Sequence, residues 1–585
     1  MNPLKVRRLT DITPAEEAAH RYVQAYLNRE QTREDLCKVC PKAIWFTAFF
    51  DGTGNSYQED GNSLINATNL LVKYSNIAKL GKFAHPSDKI SQSRIHSFYL
   101  QGVGTPCDTG LVKDSGKGYD RALGMAAAAK GQDRISEMLA RLEDAVFKHW
   151  PAVSQINLAV FGFSRGATQA RAFVRQLNGK LAEQIGDKLF WNQKNMKQQR
   201  PEVVLYFMGI MDTVASTGYG GSRLETVGKY VAPGISGATG FLVGGPSGML
   251  LGARLGGQLH EIDKGGHAAW AQDLTIPPYV QQCVHYIAGH EVREKFPSDS
   301  VRRDAEMAGN CVEYVYPGMH SDVGGGYPPS HPEFQEGRGN ELARIPLCHM
   351  YIAAYTAGVP FKGPAEVLKS AGSLFEISPE LEHVYESYMN GAPSGEKLEV
   401  AIVWHMNRYY EWRESRRRRL ADGRLKPVQV DPYMSTTDNE WAEDVQAIAE
   451  NQTGHFTRNV GVQRSAIFEA YQHKLVGSMK PEVRKDFDLF FDRYVHDSIA
   501  GFKQQLKEAY NMLVSAEWSR WSTNRKIFLG KRNGKFLYWR YEGVGTAIAQ
   551  TTVENPGASD KAEEAAKDRQ RRQWDLEKAE YDRMR

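Results

Sequence analysis

Apolar residues along this chain come in short runs separated by polar segments, and the two alternate. Residues 43–50, 94–100, 156–161, 201–211 and 311–316 are such runs, most of them ending at glycine-rich or polar loops. Runs of this length, rich in β-branched and aromatic residues, read as buried strands. Between them, residues 66–80 and 121–150 read as helices; Leu139, Leu142, Val146 and Trp150 mark one helical face. An amphipathic helix is also predicted over 14–27, ahead of the first strand. Strands alternating with helices imply a parallel sheet. Beyond about residue 360 the pattern turns charged and mainly helical. A hairpin is predicted there, where residues 526–529 and 535–541 flank Asn533-Gly534.

One strand-to-helix junction carries chemistry. Residues 156–161 run into Gly162-Phe163-Ser164-Arg165-Gly166, and Ala167, Ala170 and Ala172 then open a helix with small side chains. A G-x-S-x-G sequence between strand and helix sets a serine on a strained turn above the sheet. The glycines let strand and helix pass without Cβ clashes. The N–H of Arg165 opens the helix, where an oxyanion is stabilised. The pentapeptide alone is a weak signal; its strand and helix context gives it weight. Residues 42–360 are therefore expected to form an α/β-hydrolase-like parallel sheet with helices on both faces.

A serine nucleophile needs a base, and the base an orienting carboxylate. In this fold the chain order is Ser, Asp, His. Asp212 ends the strand after the junction, and His320 follows a later strand in Gly318-Met-His-Ser-Asp322. Each has a plainer alternative, a turn-capping aspartate and a structural loop histidine. His285, His290 and His496 compete as bases. The spacing of His285 and His290 on an apparent helix suggests packing, so His496, in His496-Asp497-Ser498, is the stronger rival. The second oxyanion donor is expected at Gly52, in Asp51-Gly-Thr-Gly-Asn55. That loop resembles part of the D-x-D-G-T motif of aspartyl phosphatases, but Phe49 stands where their nucleophile would be, which excludes that chemistry.

Composition narrows the picture. A formal charge of +4 calls for no nucleic-acid partner and is compatible with an anionic surface. Cys37-x-x-Cys40 is the only close cysteine pair and lacks the second pair that a zinc site would want. No apolar stretch follows the basic residues 1–9, and no run is apolar enough to span a bilayer, so a cytoplasmic product without a cleaved signal is expected. The expected divisions are a helical lead-in at 1–41, the catalytic domain at 42–360, a mainly helical basic region at 361–554 and a charged tail at 555–585. An insertion at about 219–258 interrupts the second of these. Its core, residues 231–253, has seven glycines and no charge, and reads as a loop or as a lid beside the site. The basic run Glu411-Trp-Arg-Glu-Ser-Arg-Arg-Arg-Arg419 reads as a solvated helix face or as a contact to a membrane or partner.

Four motifs together resemble a known family: Phe49-Phe-Asp-Gly-Thr-Gly-Asn55, Gly162-Phe-Ser-Arg-Gly-Ala167, Met211-Asp-Thr-Val214 and Pro317-Gly-Met-His-Ser-Asp-Val-Gly-Gly-Gly326. They resemble an α/β-hydrolase family long catalogued as a domain of unknown function, and more narrowly the first family of type VI secretion lipase effectors (Tle). Residues 285–293 and 494–502 are similar to that group too. The resemblance implies a phospholipase that cleaves glycerophospholipid acyl esters as an antibacterial toxin. It implies export by type VI secretion, action at the target-cell periplasm or membrane, a VgrG-type spike carrier and a cognate immunity protein. It assigns Ser164 as nucleophile, Asp212 as orienting acid and His320 as base. No cofactor is required; Ca²⁺ at Asp51 or Asp322 is compatible with the sequence. A soluble carboxylesterase or acyl transferase, or a non-catalytic binding module, are the alternatives on the same fold.

Overall fold

Alternation within single strands sorts side chains into two layers, because successive residues of a strand face opposite ways. The computed structural model describes residues 3–27, 42–57, 74–84, 94–117, 130–215, 267–293, 296–303, 306–327, 340–393, 397–425, 438–439, 481–497, 525–532, 535–540 and 552–553. In β1 (Lys42–Phe50), Ile44, Phe46, Ala48 and Phe50 enter one buried cluster, while Trp45 and Phe49 enter the other. In β3 (Val153–Phe163), Ile156, Leu158 and Val160 face the first cluster, Phe161 and Phe163 the second. Both faces are therefore apolar, as a sheet covered on both sides requires.

The central strands are all parallel, in the order β6-β5-β4-β3-β1-β2. Here β2 is Ile95–Leu100, β4 Glu202–Met211, β5 Cys283–Ala288 and β6 Cys311–Tyr316. A short antiparallel hairpin, Ala182–Ile185 with Lys188–Trp191, joins the sheet at β4. One face is covered through Ile135, Met138 and Leu142 of α3 (Gly131–Phe147) and Phe173 and Leu177 of α4 (Arg165–Lys180). The other is covered by Ile77 and Leu80 of α2 (Asn76–Phe83), and by Leu347, Met350 and Tyr351 of α6 (Arg344–Thr356). After β2 the chain returns to the opposite side of β1, so the strand order reverses there. The carboxyl ends of the strands at such a reversal form the crevice where open α/β sheets place their sites.

Two sequence expectations are corrected. Residues 283–288 form a strand, not a helix; the run Cys-Val-His-Tyr-Ile-Ala is wholly buried between β4 and β6. Its histidine, His285, is tolerated because Glu313 of β6 bonds its Nδ1 at 2.9 Å. The basic run is not an open cationic face. It lies in α9 (Leu398–Ala421), where two of its arginines are buried and all five pair with acids. Arg413 and Arg416 are buried and both pair with Asp438, at 3.1 and 2.9 Å; Arg413 also meets Asp497. Arg417 and Arg418 each hold Glu414 at 2.7 Å, and Arg419 holds Asp492 on α10 (Pro481–Arg493).

The helix expected at 14–27 is α1 (Pro14–Leu27). The C-terminal part adds α7 (Pro364–Ala371), α8 (Pro379–Met389), α9, α10 and the hairpin of β7 (Lys526–Arg532) with β8 (Lys535–Arg540). Tyr385, Ile402, Phe490, Leu529 and Trp539 belong to the same buried cluster as Trp45 and Phe161 of the sheet. The change of pattern near residue 360 thus marks a new layer on one core. Strand β7 also pairs with Ser298–Asp299, which draws the hairpin toward the sheet's carboxyl edge. Among the described residues no helix is long and apolar enough to cross a membrane. The insertion at 219–258, the pair Cys37 and Cys40, and the tail at 555–585 lie outside the described residues.

Candidate active site

Ser164 ends β3 and precedes α4 with φ 57° and ψ −125°, a conformation L-residues avoid. Backbone bonds to the next strand's end hold it there: its N–H donates to Met211 O at 3.0 Å, and its carbonyl accepts from Val214 N at 3.2 Å as well as from Ala167 N and Thr168 N of α4. The flanking glycines are sterically required. A Cβ on Gly162 would lie 2.5 Å from Gly166 O, and one on Gly166 would lie 2.2 Å from Phe50 O on β1. Strand, turn and helix therefore close only with hydrogen at both positions. The helix starting at Arg165 directs its free-end dipole toward the turn.

Asp212 leaves β4 at φ 40°. Its Oδ2 meets His320 Nδ1 at 2.5 Å and Arg525 Nη2 at 2.7 Å; its Oδ1 accepts from Ala288 N at 3.1 Å. His320 opens the short helix α5 (His320–Gly324), and its backbone N–H donates to Glu291 Oε2 at 3.2 Å. The imidazole lies against Phe163, the residue before Ser164, at 4.6 Å between ring centroids, and meets the Phe296 edge at 5.2 Å. Burial alone would raise the Asp212 carboxyl. The Arg525 charge and the His320 bond outweigh it and hold the carboxyl well below the usual range. Burial pushes the His320 imidazole down; Asp212 opposes this, and Arg293 and Arg525 add to the lowering, leaving it below its ordinary value. With Asp212 ionised and the imidazole neutral, Nδ1 carries the proton and Nε2 is the basic nitrogen. Among the described residues no hydrogen bond joins Ser164 Oγ to His320, a contact that often tightens only around bound substrate.

The rival histidines have other partners. His285 Nε2 accepts from Thr213 N at 3.2 Å, so it braces the turn after Asp212. His290 Nδ1 accepts from Gly318 N at 2.8 Å and its Nε2 meets Tyr388 OH at 2.8 Å; burial holds its ring well below the ordinary value. His496 forms a second Asp–His pair: its Nδ1 meets Asp322 Oδ1 at 2.6 Å, and Tyr327 stacks on its ring at 3.5 Å. Asp322 sits on α5, two residues beyond His320, so this pair fixes the helix that carries the candidate base.

The Gly52 N–H, expected as an oxyanion donor, donates in this structure to Asp51 Oδ1 at 2.7 Å. The same carboxylate accepts from Ser75 Oγ and Tyr99 OH, each at 2.5 Å. Asp322 is filled by His496 and by Met319 N. Among the described residues there is no cluster of three or more His, Cys, Asp or Glu able to hold a metal ion. Arg525 and Glu291 escaped the sequence reading. Arg525 stands 313 residues from Asp212, and its only sequence signal is its place just before the hairpin. Glu291 follows His290 in a segment taken for helix.

A serine on a strand–helix turn, with an Asp–His pair brought together from beyond the carboxyl ends of two other strands of the same parallel sheet, defines an α/β-hydrolase-like protein. The sequence profile described as "T6SS, Phospholipase effector Tle1-like, catalytic domain" matches residues 46–186 and 179–353, and the chain belongs to that family. Among solved structures, it is similar to an uncharacterised Pseudomonas aeruginosa protein at 22% identity and TM-score 0.49, covering 86% of this chain and 70% of that one. It is also similar to a Tle1 effector bound to the VgrG spike of the type VI secretion system, at 17% identity and TM-score 0.35, covering 63% of this chain and 84% of that one. No curated protein sequence matches.

Proposed function

We propose that this chain hydrolyses acyl esters of glycerophospholipids with Ser164 as nucleophile, His320 as base and Asp212 as orienting acid. The observation that carries the reading is the 2.5 Å Asp212–His320 contact beside the Ser164 turn. His320 Nε2 takes the Ser164 proton as Oγ attacks the acyl carbonyl. It then returns that proton to the leaving alcohol, and water repeats the cycle on the acyl-enzyme. Asp212 holds the tautomer and stabilises the imidazolium. The Arg165 N–H, at the helix start, stabilises the tetrahedral oxyanion. None of these steps requires a metal.

Membership of an effector family supports delivery by type VI secretion on a VgrG-type spike. It supports target-cell membrane lipid as substrate, and a cognate immunity protein in the producer. The test is fatty-acid release from defined phospholipid vesicles. Ser164→Ala, Asp212→Ala and His320→Ala are each expected to lower kcat by roughly 10³-fold or more. His285→Ala and His496→Ala, where folded, are expected to retain chemistry. Activity surviving in Ser164→Ala would sink the proposal, and activity lost only in His496→Ala would move the base. A short-chain ester assayed across its micelle threshold separates a lipase, which accelerates there, from a soluble esterase.

A further inference from the structure

We propose that Arg525, the residue before the C-terminal hairpin, is a positioning residue of the Ser164–Asp212–His320 site, fixing the acid and supplying a buried positive charge to the Asp–His pair. The inference rests on the triad reading above. The side chain is buried, and each branch of its fork has an acceptor. Nε donates to Phe296 O, Nη1 to Ala288 O at 3.3 Å and Nη2 to Asp212 Oδ2 at 2.7 Å. Ala288 is also the residue whose N–H holds Asp212 Oδ1. The acid is thus pinned at both oxygens, and the oxygen facing His320 is the one Arg525 grips. A planar fork can do this where a point charge cannot.

Among the described residues, the charged groups acting on His320 are Asp212, Glu291, Arg293 and Arg525, and the rings of Phe163 and Phe296 lie against it. Arg293 has its own carboxylate, Glu291, at 2.8 Å. The carboxylate that Arg525 meets is Asp212 itself. Arg525 therefore opposes the attraction between Asp212 and a protonated imidazole, and keeps His320 neutral to lower pH than the pair alone would. A role confined to capping the Ala288 and Phe296 carbonyls would leave that protonation untouched.

The test is the pH dependence of kcat/KM on a soluble short-chain ester, for the full chain and for Arg525→Gln and Arg525→Lys. Arg525→Gln loses the charge, so His320 becomes more basic and the acidic limb moves up by about one pH unit. Its kcat falls by roughly ten- to a hundredfold, the usual effect of losing a charged hydrogen bond, with KM little changed. Arg525→Lys keeps the charge and loses the fork; the limb stays near wild type while kcat falls. Wild-type kcat and limb in Arg525→Gln would overturn the inference, as would equal limb shifts in both variants. If Arg525→Gln does not fold, Arg525→Lys decides: an unmoved limb with lowered kcat supports the inference, and wild-type kcat overturns it. Loss of folded protein in both variants would assign the residue to folding and overturn it. A wild type that neither turns over ester nor reacts with a fluorophosphonate at Ser164 fails the triad reading, and this inference with it. Triad-dependent turnover with indifferent Arg525 variants fails this inference alone.

Discussion

At the scale of single residues, the strand-to-helix turn at Ser164 rests on two glycines that leave no room for a side chain. Ser164, Gly162 and Gly166 could be read because a tight strand-to-helix turn admits nothing larger than hydrogen at its flanks. Gly166→Ala would drive a Cβ to 2.2 Å from the Phe50 carbonyl. It is expected to abolish ester turnover and to destabilise the fold by at least about 1–3 kcal/mol, measured by urea denaturation. Asp212 and His320, expected in that order behind strands, are brought into contact at 2.5 Å. Lys79 had no such signal. It is buried on α2, its nearest polar partner is Asn76 Oδ1 at 3.5 Å, and burial with the nearby Arg344 charge lowers its ammonium to about 7. Because that value lies below the unfolded one, near 10.4, the folded state is penalised fully below about pH 7. The penalty is relieved as pH rises toward 10. Lys79→Met should therefore raise the melting temperature more at pH 6 than at pH 9, the difference between the two proteins isolating the group.

At the scale of elements, strands buried on both faces announced themselves as unbroken apolar runs, and β1, β3 and β4 were read on that basis. Strand β5 was misread because His285 broke its apolar run, and only its partner Glu313 explains how it is buried. The arginine run on α9 was misread for a related reason, since charge in sequence does not reveal acids on other helices. Arg413→Met would leave Asp497 buried without its cation and should cost about 3–5 kcal/mol in urea denaturation. Arg418→Met, whose side chain is 46% exposed, should change stability by no more than about 1 kcal/mol.

At the scale of the molecule, the hydrolase sheet and the C-terminal helices are layers on one buried cluster, and the site draws on both. No local pattern could show this, because Asp212 and Arg525 are 313 residues apart and meet only when the hairpin docks on the sheet edge. Phe490→Ala on α10 and Trp45→Ala on β1 should therefore lower the same thermal transition, each by about 3–5 kcal/mol. Two transitions, each sensitive to one variant alone, would contradict a shared core. The ion-paired arginines of α9 have a further consequence. In the native protein their charge is matched at short range by Asp438, Asp492, Asp497 and Glu414. On unfolding, that matching is lost and a dense polycation emerges. Heparin resin should accordingly retain the unfolded chain more strongly than the native one, in a manner that salt abolishes, making polyanion capture a reporter of the unfolded state.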